Sequence, residues 1–545
     1  MGIIFSRYEA NLYNMKPLYT KKHFFWLFLF VSVLFSCKKD SELPLENMYT
    51  TISLKESRFP DFSYAGYMRS EMPIPLFPVV VTLEPVAGDN FDRIQRAILE
   101  VESRPLENGV RGALLLKAGE YRVSQELKIT KSGVVIRGEG QGMNGTRIIN
   151  SLTFPTIPLV RVLQTTAAIS ISGTGNNFIE TGQAKSKIMI DAGVGATSII
   201  VENPAGFAVG DTVVITRTPN DKWIDFIGMR QYGWTADYYA VAHPRIVKDI
   251  KENQIEIDVP LVDAIEERFG GGFLTAVRYD GLIRNSGVEN MRMYSVYEND
   301  EDENHTWSAV ILRRTENCWV RNVTAENFSF AAVAMVQANY STVQDCAMLN
   351  FKSKPWGDRR YSFYVNTGSI GNLIQRCYSD GGRHDFSTGA KVTGPNVFLD
   401  CYAINTLSDT GPHHRWATGT LYDNVHAGMI YARNAKDSGS GQGWTGAYNM
   451  FWNNRANLGF LVENPPGAVN WVIGAQGALY TDFSAYGASK GLPVLPRSIF
   501  IEQLKERLDG SSISDIIIPS QTQATPIWNE LARWAGNEKP LKGMP

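Results

Sequence analysis

Five cysteines in 545 residues are too few for a disulfide framework, and no two of them form a CxxC pair. That excludes a disulfide-stapled scaffold and a thiolate zinc site. The chain has no run of Lys and Arg and no basic tail, and its formal net charge is −2. Nucleic acid is therefore not an expected partner. The longest apolar run near the N-terminus, residues 24–35, has 12 residues, well short of the ~20 that a membrane-spanning helix needs. Long amphipathic helical patterns are scarce. What is plentiful is Gly, at 48 residues, together with aromatics and short β-type runs, which reads as a β-rich protein with many turns.

The short apolar run carries its own meaning. Lys21 and Lys22 precede it, and it closes on Leu34, Phe35, Ser36 and Cys37. A positive start, a short apolar core and a cysteine form a secretion leader rather than an anchor helix. The ending resembles a bacterial lipobox, which implies cleavage after residue 36 and a lipid on Cys37. Met15 offers an alternative start that gives this leader a more usual length. Residues 1–36 hold four Lys/Arg against one Asp/Glu, so their removal takes the charge from −2 to −5. The expectation is an exported, monomeric protein, held at the outer membrane or cell surface by its lipid alone.

Beyond a tether and lead-in over 37–80, the pattern divides into segments. Residues 81–150 hold one amphipathic helix, with Phe91, Ile94, Ala97, Ile98 and Val101 at helical spacing, followed by short strands. Residues 186–262 break the rhythm and read as an inserted β subdomain. Residues 270–490 contain a repeat. Four segments align: NCWVRNV (317–323), YSTVQDC (340–346), GNLIQRC (371–377) and PNVFLDC (395–401). Their fourth positions, Val320, Val343, Ile374 and Phe398, are apolar; their seventh, Val323, Cys346, Cys377 and Cys401, are small and apolar. The steps are 23, 31 and 24 residues. Periods of this size mean stacked units, and short β runs without paired helices make each unit one coil of a parallel β-helix. Equivalent side chains then stack inside the cylinder at the strand spacing of about 4.8 Å, and three cysteines become interior hydrophobes rather than redox groups. The fold class expected is all-β: a right-handed parallel β-helix with an N-terminal capping helix and a small β insertion. Residues 491–545 form a helical tail, packed at the other end or along the side.

The segments GDN (88–90), the helix that follows, LLLKAGEY (114–121) and VIRGEG (135–140) together resemble the start of pectate-lyase-superfamily β-helices. Combined with the lipobox, the chain resembles polysaccharide-degrading surface lipoproteins of Bacteroidetes. The resemblance covers most of the mature chain and implies fold more than activity. It implies an acidic polysaccharide as partner. Some lyases of the superfamily use calcium, others His or Tyr; the clustered acids of the calcium type are missing here, so no metal or other cofactor is expected.

Four of the seven histidines fall between 384 and 426. Three coil starts look alike: Arg359-Arg360-Tyr361, Arg383-His384-Asp385-Phe386-Ser387 and His413-His414-Arg415-Trp416-Ala417. Aligning them places Arg360, His384 and His414 in one external column, with Arg359, Arg383 and His413 one residue earlier. β-Elimination on a uronate needs a cation for the carboxylate, a base for the C5 proton and an acid for the leaving O4. Arg suits the first, and His the second. The roles expected are His384 or His414 as base, Tyr361 as acid or base, and Arg360 with Arg415 on the carboxylate. Arg359, Arg383 and His413 would bind flanking sugars, Trp416 and Trp444 would stack on them, and the glycine-rich stretch 439–443 would form a flexible wall. Asp385 either orients His384, binds a metal or is a surface acid. The competing readings are a glycoside hydrolase, which needs two carboxylates and for which Asp358, Asp380, Asp385 and Asp409 are the candidates; a C5-epimerase, sharing the proton abstraction; and a non-catalytic glycan-binding protein.

Overall fold

The computed structural model describes residues 50–52, 59–154, 164–175, 178–479, 486–509 and 513–537. The leader over 1–36 and Cys37 lie outside the described residues. Among the described residues, twenty-nine strands pair into one continuous parallel system wound as a β-helix. The repeat alignment is realised residue for residue: Val320 pairs with Val343, Val343 with Ile374 and Ile374 with Phe398. The ladder continues through Tyr422, Phe451 and Val472. All of these side chains are buried in one core. A slip of one residue would turn each of them to the outside, so the register is strongly specified. The rings of Phe398, Tyr422 and Phe451 stack at 5.2 and 4.9 Å.

Cys346, Cys377 and Cys401 occupy a corner of successive coils as free, buried thiols. Their sulfurs face the carbonyls of Val320, Val343 and Ile374 at 3.7, 3.9 and 3.7 Å. Burial pushes the Cys346 and Cys377 thiols well up, so neither supplies a thiolate. The neighbouring turn carries an asparagine pair, Asn396 accepting from Asn372 through backbone and side chain.

The helix Phe91–Ser103 buries Ile94, Ala97, Ile98 and Val101 on the first coils. The insertion is a six-stranded antiparallel sheet running from Ile179 to Arg278. It is wider than the 186–262 of the sequence pattern at both ends: the outer strand Ile179–Lys187 is mostly exposed and polar and lacks an apolar signature, and the strand Gly272–Arg278, expected in the main β-helix over 270–490, pairs instead with strands of the insertion. Trp416 on the β-helix meets Trp223 of the insertion edge-on at 4.8 Å and donates to buried Asp263. The C-terminal helices Ile499–Arg507 and Trp528–Trp534 lie along the flank, the first covering Leu373, Val397, Leu399 and Leu421, the outward side chains of the ladder strands. Among the described residues no helix is long and apolar enough to cross a membrane.

Candidate active site

On one side of the cylinder three consecutive strands, Phe363–Val365, Phe386–Thr388 and Asp409–Pro412, bring distant residues together. Phe363 pairs with Phe386, so two residues upstream Tyr361 lies against His384, ring to ring at 4.7 Å. Ser387 pairs with Gly411, which brings Asp409 beside the same imidazole. The chain then turns, and the His413 ring comes back over His384 at 3.8 Å. A cleft of about 360 Å³ opens here, lined by Arg383, His384, Asp409, His413, Tyr431 and Arg433. Ser438, Gly439 and Gln442 form one wall. Its glycines serve close approach rather than flexibility: a Cβ on Gly441 would meet the Tyr232 carbonyl at 2.2 Å, and one on Gly443 would meet the Met229 sulfur at 2.5 Å.

The electrostatics centre on His384. Its Nδ1 donates to the Asp409 carbonyl at 2.8 Å. A carbonyl can only accept, so Nδ1 carries the proton and Nε2 keeps its lone pair. That Nε2 is buried and has no hydrogen-bond partner. Burial drives the imidazole well below its usual pKa, and His413 adds to this. Burial pushes the Asp409 carboxyl up, but the flanking imidazoles of His384 and His413 and the Ser408 hydroxyl outweigh it and hold it ionised. Burial raises the Tyr361 phenol, against the opposing effect of Arg383, whose guanidinium carbon lies 5.9 Å from the ring. Burial likewise takes His414 down to about 3.

Among the described residues, His384, Asp409 and His413 form the one trio whose ligand atoms, one from each, lie within 4.8 Å of one another. Two imidazoles and a carboxylate fit a zinc- or iron-like ion better than calcium, which takes oxygen ligands. The Asp409 carboxylate sits 3.6 Å from each ring's Nδ1, too long for a hydrogen bond, and His413 Nδ1 has no hydrogen-bond partner.

Several expected site residues lie elsewhere. The external column fails by one residue at Arg360, because Tyr361 and not Arg360 lies opposite His384. It fails by six at His414, because Ser387 pairs with Gly411 and not with Ala417. His414 packs edge-on against His413 at 5.1 Å and does not line the cleft. The Arg360 guanidinium turns away to the Ser353 carbonyl. Arg359 is committed to Glu303 through two bonds of 2.5 and 2.8 Å. Arg415 donates to Ser440 on the other side of the wall. Trp416 is buried against the insertion and presents no face to a sugar; Trp444 is half-buried beside it, does not line the cleft, and donates to the Ile227 carbonyl at 2.9 Å. Asp385 is no surface acid: it is fully buried beneath the site, accepting from Ser362 and Ser379. His384, Tyr361, Arg383 and His413 do come together. Asp409, four before His413, entered the sequence pattern only as a candidate carboxylate for hydrolysis; Arg433, a lone arginine just after the strand His426–Ala432, carries no pattern and did not enter it.

No protein-family model and no curated protein matches the chain. Among solved structures it is similar to a tailspike protein of Pseudomonas phage LKA1, at 12% identity and a TM-score of 0.41, over 72% of this chain and 57% of that one. A tailspike of E. coli bacteriophage HK620, solved with a pentasaccharide, aligns at 11% identity and a TM-score of 0.40, over 74% of this chain and 56% of that one. A surface adhesin of Streptococcus pneumoniae aligns at 9% identity and a TM-score of 0.36, over 75% of this chain and 91% of that one. The chain thus spans little more than half the length of the two tailspikes.

Proposed function

We propose that the protein is a polysaccharide lyase that cleaves a uronate-containing chain by β-elimination in this cleft. One observation carries the reading: the Asp409 carbonyl fixes the tautomer of His384, a residue that lines the cleft, leaving its buried Nε2 an acceptor without a partner. The substrate carboxylate sits against Arg383 and Arg433, which line the same cleft and favour the enolate-like charge that develops beside it. His384 Nε2 takes the C5 proton; the C4–C5 double bond forms as the C4–O4 bond breaks. The Tyr361 hydroxyl supplies the proton to O4 and is restored from water. Ionised Asp409 stabilises the imidazolium in the meantime. A lipid on Cys37, once the leader over 1–36 is removed, would keep this reaction at the cell envelope.

The test is ultraviolet absorbance of an unsaturated uronate when the leader-free protein meets a panel of acidic polysaccharides. His384→Ala should lower the rate by about 10²–10⁴-fold, and chelator should leave it unchanged. Full activity in His384→Ala sinks the base assignment. Loss on chelation, restored by zinc, moves the trio from an organic relay to a metal centre. A second reading has one observation in its favour: Asp358 and Asp409 line the same cleft, and two carboxylates are what hydrolysis needs. New reducing ends without absorbance would select it.

A further inference from the structure

The wall of the cleft has another side. There Ser440 and Gly441 face a hollow of about 250 Å³, closed opposite by the 232–239 turns of the insertion. The same short segment therefore separates the cleft from the hollow, turning Ser438, Gly439 and Gln442 one way and Ser440 and Gly441 the other. Arg415 and Tyr238 line the hollow, and Tyr238 is 44% exposed.

A second cation stands beside Arg415. The Lys391 backbone donates to the Arg415 carbonyl at 2.9 Å, so the two occupy the same corner of adjacent coils, both with positive φ, 54° and 58°. The Lys391 ammonium lies 4.0 Å from the centre of the Tyr238 ring and the Arg415 guanidinium 5.8 Å. Each is held by a carbonyl, Lys391 by that of Tyr238 at 2.5 Å and Arg415 by that of Ser440 at 2.8 Å. Neither forms an ion pair among the described residues, whereas Arg359, Arg376 and Arg497 each have a carboxylate. Two fixed like charges around a half-exposed aromatic ring repel each other. An anionic ligand with an apolar ring face would relieve that repulsion.

We propose that this hollow is a second binding subsite for a uronate unit of the same chain that occupies the cleft. Its carboxylate would lie on Lys391 and Arg415, and its ring face on Tyr238. The subsite rests on the reading of the cleft as a site for acidic polysaccharide, and it is tested by binding rather than turnover. Leader-free protein carrying His384→Ala is titrated with uronate oligosaccharides and run on gels containing polygalacturonate, dextran sulfate or dextran. Lys391→Gln with Arg415→Gln should weaken uronate binding about tenfold or more. Tyr238→Ala, an exposed side chain whose loss spares the core, should weaken it severalfold, and Arg415→Lys should stay near the parent. Polygalacturonate should retain the protein and dextran should not. Equal retention on dextran, stronger retention on dextran sulfate than on polygalacturonate, unchanged binding in the double variant or no retention at all overturns the subsite. Charge-dependent binding with no unsaturated product from the protein that keeps His384 would overturn the lyase reading alone, and product from that protein with unaltered binding in the double variant would overturn the subsite alone.

Discussion

Inside the cylinder, Val320, Val343, Ile374 and Phe398 meet residue for residue; outside it, the side chains of Arg360, His384 and His414 form no column. Both sets recur along the same coils, and the difference lies in what polices them. An inward side chain has neighbours above, below and across, and a slip leaves a void on one face and an exposed apolar group on the other. An outward side chain at a corner has no such constraint, so the chain between strands lengthens freely. The coil from Val343 to Ile374 takes 31 residues and the next takes 24. Counting residues back from an interior position into a corner therefore accumulates error, while counting along the ladder does not.

Substitutions on the two sides sharpen this contrast. Outside, His384→Ala should cost the most, in rate, as set out above, while leaving the melting temperature near the parent. Inside, Phe398→Ala should cost about 3–5 kcal/mol of stability. It interrupts the ring stack with Tyr422 and Phe451, and denaturant melts would measure the loss; a melt like the parent's would mean that the ladder does not carry the fold. Cys377→Ser puts a hydroxyl where a buried thiol faces the Gln375 and Val343 carbonyls at 3.4 and 3.9 Å, both too long for a good O–H···O bond. It should cost about 1–3 kcal/mol, Cys377→Ala should cost less, and the native thiol should resist alkylation until the protein unfolds.

The smallest effect concerns pH. His243 is fully buried in the insertion, and neither of its nitrogens has a partner. Burial, then Arg245 and Arg217, pull its pKa well below 6.5. The native state thus binds fewer protons than the unfolded state. Its contribution is intact above pH 6.5 and is lost as pH falls below that value, by about 1.4 kcal/mol per pH unit. His305, buried between the Ser295 and Ser329 hydroxyls at 2.7 and 2.8 Å, shifts the same way. Melts from pH 7 to pH 5 should fall more steeply for the parent than for His243→Leu. Equal slopes would mean that the imidazole is already charged in the native protein.

The same contrast explains what was legible in the sequence. The β-helix was, because apolar residues at the fourth position and small residues at the seventh can only be interior positions. The cap helix was, because Ile94, Ala97, Ile98 and Val101 form one face. The outer strand of the insertion was not, since Ile179–Lys187 buries almost nothing. In the candidate site, the density of His and Arg between 359 and 415 pointed to the corner where the cleft lies, yet the partners within it were mispaired. Asp409 stood out only as one of four candidate carboxylates, Arg433 gave no pattern, and Trp416 resembled a sugar platform only because its partner, Trp223, lies in a different part of the chain.

The interior ladder also governs how such a protein can change by descent. Because Phe398 must find Ile374 on one side and Tyr422 on the other, heritable gain or loss comes in whole coils, with nothing smaller tolerated inside. A duplicated coil would lengthen the outer groove by one strand spacing, about 4.8 Å, and leave every interior contact of the old coils as it was. Corners, by contrast, can be rewritten a residue at a time. Lineages of this architecture should therefore differ in groove length by discrete increments and in groove chemistry almost continuously.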